Sequence, residues 1–174
     1  NVLQLDPQDA QTHYKLAIAY LKLGGLPNLY QAFNELTRTV ELDKANQDAS
    51  LKLGELYLLG REPAKARALA DTMLVSSPTH TDALILRGQS LIAETKYKEG
   101  IVDLKKAIDL TPKKVETYLI LARAYSALND KVAAESMLNQ ALSVDPRSLD
   151  TLLTFADFHD VTGQPGQAEV QYKK

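Results

Sequence analysis

Residues that could carry chemistry are few and scattered in this chain of 174 residues. The absence of cysteine excludes disulfides, thiolate metal sites and cysteine nucleophiles. The histidines are His13, His80 and His159, and the last of them has carboxylates nearby at Asp157 and Asp160. On a helix, Asp157 and Asp160 would share one face while His159 would point elsewhere. This run therefore favours a core histidine flanked by solvent-facing carboxylates over a metal site.

Phosphate-binding loops and nucleophile motifs are also missing from the sequence. The pair Gly24-Gly25 follows a predicted helix rather than a strand, so it does not resemble a phosphate-cradling turn. No Gly-x-Ser-x-Gly or Walker-type run occurs. We therefore expect no enzymatic activity from this segment, and no cofactor or metal ion bound to it.

Composition argues against two further classes of protein. Lys and Arg number 20 against 22 Asp and Glu, which gives a formal net charge of −2. Nucleic-acid-binding proteins usually carry a basic excess that neutralises phosphates, so we expect no nucleic-acid partner. No apolar run approaches the roughly 20 residues that a membrane-spanning helix needs. The hydrophobic fraction of 45% is that of a folded protein.

The elements that position these residues repeat along the chain. Pro78, Pro112 and Pro146 recur at intervals of 34 residues. Two series of small residues keep the same period, and they are Gly54, Gly88, Ala122, Ala156 and Ala66, Gly100, Ala134, Ala168. Three series with one period predict an internal repeat.

The repeat divides the whole chain. The predicted units are 10–46, 47–80, 81–114, 115–148 and a partial fifth at 149–174. The first unit is three residues longer than the others, and residues 1–9 resemble the end of a preceding repeat. The chain is therefore expected to be a fragment of a longer protein.

The apolar pattern within each unit predicts two helices joined by a short turn. In unit 115–148, apolar residues from Tyr118 to Tyr125 recur at i, i+3, i+4 and i+7, and a second apolar stripe follows. Asn129 separates the two stripes, since it tolerates a left-handed backbone. The second stripe ends before Pro146, which lacks the N–H that a helix would use. A two-helix unit cannot bury its apolar face alone, so the units are expected to stack into a solenoid.

These residues resemble a known family. The run Tyr118-x-x-Leu121-Ala122-x-x-Tyr125, with Ala134, Leu138, Ala141 and Pro146 after it, is similar to the tetratricopeptide repeat. The resemblance implies an all-α, right-handed superhelical α-solenoid of antiparallel helix pairs in one continuous domain.

Some positions depart from the family pattern. Lys44 replaces a closing proline, Arg87 a leucine and His159 a tyrosine. The three additional residues of the first repeat fall between Gly24 and Asn28, where we expect them to lengthen the turn between the helices.

The resemblance also implies a binding surface, because tetratricopeptide solenoids hold peptides or helices in a concave groove lined by the first helix of each repeat. The groove residues, at repeat positions 5 and 9, would be Tyr14, Ile18, Leu51, Glu55, Ile85, Gln89, Leu119, Arg123, Leu153 and Asp157. Position 5 is apolar in every repeat, and this row is either an exposed binding stripe or partly buried between neighbouring helices.

Position 2 adds an acidic rim to the expected groove. The rim residues are Asp48, Asp82, Glu116 and Asp150. Carboxylates in the first turn of a helix are also stabilised by the helix dipole, which explains the row without a ligand. Together the two rows predict a protein or peptide partner that is amphipathic and carries basic flanks.

One specific partner is not expected. In chaperone-binding members a set of Lys, Asn and Arg side chains grips a C-terminal carboxylate. The corresponding residues here include Tyr14, Ile18, Lys52, Asp82 and Leu86, which cannot form such a clamp.

The sequence therefore predicts a protein–protein interaction scaffold. The alternatives are a self-assembly module that forms homo-oligomers, and a targeting arm of an enzyme whose catalytic domain lies outside this segment. The compartment stays open between the cytoplasm and a bacterial periplasm or envelope.

Overall fold

The computed structural model describes residues 8–172, and this part of the chain contains ten α-helices and no strand. The helices are α1 (Ala10–Leu23), α2 (Leu26–Leu42), α3 (Gln47–Leu59), α4 (Pro63–Ser76), α5 (Thr81–Ala93), α6 (Tyr97–Leu110), α7 (Val115–Ala127), α8 (Lys131–Val144), α9 (Leu149–Val161) and α10 (Pro165–Tyr172). The odd-numbered helices begin at the residues where the sequence places the start of each repeat. The prediction for residues 1–9 lies outside the described residues apart from Gln8 and Asp9.

In several repeats, a side-chain cap fixes the start of the first helix. The Asp9 carboxylate accepts hydrogen bonds from the backbone N–H groups of Gln11 and Thr12, each at 3.1 Å. Asn46 caps α3 through the N–H of Ala49 at 3.0 Å. Such caps satisfy N–H groups that have no partner within the helix, and each is worth about 1 kcal/mol.

In the second to fifth repeats, the turn between the two helices contains one residue with a left-handed backbone. This residue recurs every 34 positions along the chain. These residues are Arg61, Thr95, Asn129 and Gly163, with φ of 58°, 63°, 58° and 79°. The left-handed backbone expected at Asn129 is therefore confirmed. Asparagine and glycine tolerate this region, whereas a β-branched residue is strained in it.

Replacing the strained residue should stabilise the protein. Thr95→Gly removes a left-handed β-branched residue, although glycine also loses more backbone entropy on folding, so we expect a gain of about 0.5–1 kcal/mol in the free energy of unfolding. Urea denaturation followed by circular dichroism measures it. The reverse change, Gly163→Thr, is the matched control and should lower the free energy of unfolding. A loss of stability in Thr95→Gly would contradict the strain.

The first repeat does not have the longer turn that the sequence predicts. Its turn consists of Gly24 and Gly25 alone, whereas α2 has 17 residues against 14 in α4, α6 and α8. Both glycines adopt positive φ, of 65° and 80°, so the chain reverses in two residues. The expectation was wrong because the added residues, beginning with Leu26 and Pro27, extend the second helix.

The chain forms two compact units, each larger than a single repeat, which divide inside α5 between Ser90 and Leu91. In the first unit, Leu36 of α2 packs against Ala17 of α1 and against Ala49 and Leu53 of α3. A neighbouring cluster joins Ala66 and Ala70 of α4 to Leu86 of α5. Small residues face leucines in both clusters, which lets the helices approach closely.

The core of the second unit follows the same rule. Ala122 of α7 and Ala141 of α8 are buried among larger side chains contributed by α7, α8 and α9. The larger members of this cluster are Tyr118, Leu119, Leu138 and Phe155. Apolar faces that a single helix pair leaves open are therefore covered by the next helix, as the repeat predicts.

Two departures from the repeat pattern are compensated by neighbouring side chains. Arg87 Nη1 lies 3.3 Å from Asp71 Oδ1 of α4, and Arg67 Nη1 lies 3.4 Å from Asp71 Oδ2. His159 is buried and stacks on Phe155, with ring centroids 4.7 Å apart and planes inclined by 16°. Its Nδ1 lies 2.9 Å from Oε1 of Gln164. His159 is thus a core residue, as the sequence favours.

Candidate functional site

The apolar row at position 5 is partly exposed and partly buried. Ile85 and Leu119 are 4% and 6% exposed, whereas Leu153 is 43% exposed, and Tyr14 and Leu51 are half-buried. The row is therefore not a continuous exposed stripe. Ile85 and Leu119 belong to the core, and Tyr14, Leu51 and Leu153 remain accessible.

The acidic row at position 2 is exposed along its whole length. Asp48, Asp82, Glu116 and Asp150 lie in the first turns of α3, α5, α7 and α9. Each carboxylate therefore sits where the helix dipole stabilises negative charge. The same position exposes each carboxylate to solvent.

The acidic row and the apolar row meet in the first unit. Burial raises the pKa of the Tyr14 hydroxyl above its ordinary value, and the negative charge of Asp48 raises the pKa further. A charge influences a neighbour in this way only over a short distance. The acidic group of the second repeat thus lies beside the apolar group of the first.

Position 9 changes character from residue to residue. Ile18 and Gln89 are half-buried, whereas Glu55, Arg123 and Asp157 are exposed. The exposed members of this row therefore differ in charge from one repeat to the next.

A cleft in the second unit brings two of the position-9 residues together. It lies between α7, α8 and α9, has a volume of about 450 Å³, and includes Arg123 and Asp157 in its wall. Arg123 Nη2 approaches Thr154 Oγ1 of α9 at 3.5 Å. Lys131, at the start of α8, adds a second cationic side chain to the wall.

The floor and far wall of the cleft are apolar. Ala122 and Leu138 come from the core of the unit, and Phe158 and Val161 come from α9. An apolar pocket with a few charged and polar groups at its rim is the usual form of a binding site. This cleft can receive one apolar side chain and contact groups of both signs beside it.

Groups required for metal chemistry do not come together in residues 8–172, since no cluster of three or more His, Asp or Glu side chains there is arranged to hold an ion. Nor does any helix among these residues combine the length and apolar character needed to cross a membrane.

Comparison with known families identifies the repeat. Residues 91–148 match the family model of the tetratricopeptide repeat. The resemblance to the tetratricopeptide repeat family is confirmed. A comparison with curated protein sequences finds no match.

Solved tetratricopeptide structures share the fold over nearly the whole chain. A tetratricopeptide repeat protein from Parabacteroides merdae aligns with a TM-score of 0.83 and 21% identity, over 98% of this chain and 67% of that one. A thermophilic tetratricopeptide protein of Thermus thermophilus gives 0.82 and 17%, over 95% and 89%. YrrB, described as having an unusual peptide-binding site, gives 0.66 and 16%, over 98% and 86%. The all-α tetratricopeptide solenoid fold is thereby confirmed.

Tetratricopeptide positions alone miss part of the cleft. Lys131 belongs to a second helix, and Phe158 and Val161 lie on α9 outside positions 2, 5 and 9. The sequence carried a signal at Val161, since a large apolar residue stands two positions before Gly163. The structure leaves its side chain strongly exposed.

Proposed function

We propose that this chain is a protein-interaction module that binds an extended segment or a helix of a partner protein on the first helices of its second unit. The cleft between α7, α8 and α9 is the observation that carries the proposal. It places Arg123 and Asp157 beside an apolar floor, and both residues occupy positions at which tetratricopeptide repeats are expected to bind a ligand.

The cleft favours a ligand with a defined direction. Arg123 and Lys131 lie on α7 and α8, whereas Asp157 lies on α9. An acidic group of the ligand is therefore best placed toward α7 and α8, and a basic group toward α9. An apolar side chain between these two groups would enter the space against Phe158 and Val161.

Rim charges add a separate preference for basic flanks beyond the cleft. Glu116 and Asp150 are exposed at the starts of α7 and α9 in this unit. They attract basic residues on either side of an apolar anchor, since complementary charges steer association. The peptide-binding site described for YrrB is consistent with this use of the fold.

A peptide-display selection tests the proposed function. A random-sequence peptide library is selected on the intact chain, and the dissociation constants of the selected peptides are measured by fluorescence anisotropy. We expect Arg123→Glu to weaken binding at least about tenfold, because it places a second acid beside the ligand's acidic group. Arg147→Glu is the matched control, since Arg147 is also an exposed arginine of the second unit, and it should change binding less than about twofold.

Two results would contradict the proposed function. One is a failure to enrich any peptide on the folded chain. The other is a set of peptides that bind Arg123→Glu and Asp157→Lys as tightly as they bind the unchanged protein.

A further inference from the structure

A second cavity lies in the first unit, away from the position-5 and position-9 residues. It has a volume of about 450 Å³ and lies between the start of α2 and the end of α3. Its walls are mostly apolar and aromatic, and the apolar part is formed by Leu26, Tyr30, Phe33, Leu56, Tyr57 and Leu59. We call these six residues the α2–α3 patch.

The floor of the α2–α3 patch is an ordered aromatic pair. Phe33 and Tyr57 meet edge to face, with centroids 5.3 Å apart and planes at 85°. Both residues also pack against the core cluster of the first unit. The cavity is thus backed by the core of the unit.

The rim of the same patch projects into solvent. Leu26, Tyr30 and Leu59 are 72%, 70% and 68% exposed, and Leu23, which precedes the glycine turn, is exposed to a similar degree. Exposed apolar groups on a soluble protein are usually scattered singly, and contiguous patches mark interaction surfaces. This patch therefore offers a hollow and projecting apolar side chains side by side.

Charge at the edge of the patch is balanced within the chain. Glu62, which borders the cavity, forms an ion pair with Lys65. The Lys65 ammonium lies 5.3 Å from the centre of the Tyr57 ring and contacts its π-face. A partner that covers the patch meets no uncompensated charge from this pair.

We propose that the α2–α3 patch is a symmetric interface with a second copy of this chain, in which the projecting side chains of each copy close the cavity of the other. A twofold interface uses the same surface on both subunits, so that surface must be complementary to itself. The α2–α3 patch meets this condition because it carries both the hollow and the groups that fill one. The interface would also avoid repulsion between like charges across the twofold axis, since Glu62 at the edge of the patch is already paired with Lys65.

The expected dimer is weak, because six residues per copy are far fewer than the roughly 20–30 per partner of a standard protein interface. Sedimentation velocity over protein concentrations from about 10 µM to about 1 mM covers the range in which such a complex dissociates. We expect the sedimentation coefficient to rise with concentration, and Tyr30→Gln with Leu59→Gln to raise the dissociation constant at least about tenfold.

Matched substitutions elsewhere control for lost apolar surface. Val75 and Val102 are also strongly exposed, so Val75→Gln with Val102→Gln should leave the dissociation constant within about twofold. Circular dichroism checks that both variants keep their helices. A chain that remains monomeric throughout overturns the proposal, as does a dimer that both variants weaken equally.

Chemical cross-linking locates the interface directly, because the chain has no cysteine of its own. Asn34 borders the cavity and is exposed, so Asn34→Cys places one thiol per copy beside the proposed axis. With a short bismaleimide, Asn34→Cys should form covalent dimers at least about tenfold faster than Thr72→Cys on the exposed side of α4, because proximity raises the effective concentration of the two thiols. Equal rates would overturn the assignment of the surface.

This proposal does not depend on the peptide-binding cleft, since the two surfaces lie in different units. Arg123→Glu should leave the dimer unchanged, and Tyr30→Gln should leave peptide affinity unchanged. The failure of one proposal is therefore distinguishable from the failure of the other.

Discussion

Truncating Leu36 to alanine should lower the free energy of unfolding by about 4 kcal/mol, within the range measured for fully buried Leu→Ala changes. Leu36 of α2 is completely buried and packs against Ala17 of α1 and Ala49 and Leu53 of α3. The surrounding cluster combines alanines with larger side chains such as Phe33 and Tyr57, which are held by their own packing and can fill only part of the space that the leucine leaves. The loss thus combines hydrophobic transfer with an unfilled cavity.

Urea denaturation measures the change, and Leu149→Ala is the matched control. Leu149 is 67% exposed, so the same chemical change should cost less than about 0.5 kcal/mol. Hydrogen exchange adds a second readout, because repeat proteins are stabilised by contacts between neighbouring units. Amide protection should fall more in α1–α3 than in α7–α9. Equal losses of free energy in Leu36→Ala and Leu149→Ala would contradict the packing described for Leu36.

Adding a single methyl group at Gly54 should also destabilise the protein, by about 2 kcal/mol, as expected for an overpacked core. A Cβ atom on Gly54 of α3 would lie 2.4 Å from Cδ2 of Leu86 of α5. Leu86 cannot swing aside freely, because it is buried against Ala66 and Ala70. The gain in helix propensity from glycine to alanine, about 1 kcal/mol, is smaller than the cost of this clash.

The control for Gly54→Ala is the same substitution at a helical glycine with open space. No atom lies within 4 Å of a Cβ built on Gly166, so Gly166→Ala should be neutral or stabilising by up to about 1 kcal/mol. A double-mutant cycle with Leu86→Ala isolates the contact, since the new methyl group then occupies space that the leucine vacates. We expect a favourable coupling energy of about 1–2 kcal/mol. A coupling energy of zero would show that Gly54 and Leu86 do not meet.

Helices are the feature that the sequence predicts best, because they depend on local periodicity. Asn129 was expected to take a left-handed conformation and does so, since the requirement arises within the turn itself. The turn at Gly24 and Gly25 was mispredicted because the length of an added segment does not determine where it is accommodated. Two consecutive glycines allowed a short reversal, and the added residues became helix.

The candidate site was harder to predict, because exposure is set by neighbouring helices. Ile85 and Leu153 occupy equivalent positions, yet one is buried and the other is open to solvent. Periodicity shows that such residues share a helix face but not what covers that face. The contribution of Lys131 to the cleft was missed for a related reason, since it comes from a second helix that the groove positions do not include.

The ion pair between Asp71 and Arg87 makes the order of the repeats part of the design of this protein. At the positions equivalent to Asp71, the third and fourth repeats carry Lys105 and Asn139. If a copy of the third repeat followed the third or the fourth repeat, its Arg87 would lie opposite Lys105 or Asn139. The guanidinium would then lose the Asp71 carboxylate that it now contacts. Although the repeats share one architecture, they are therefore not interchangeable. Shuffling or duplicating them would lower the stability of the protein in a way that a consensus sequence does not reveal.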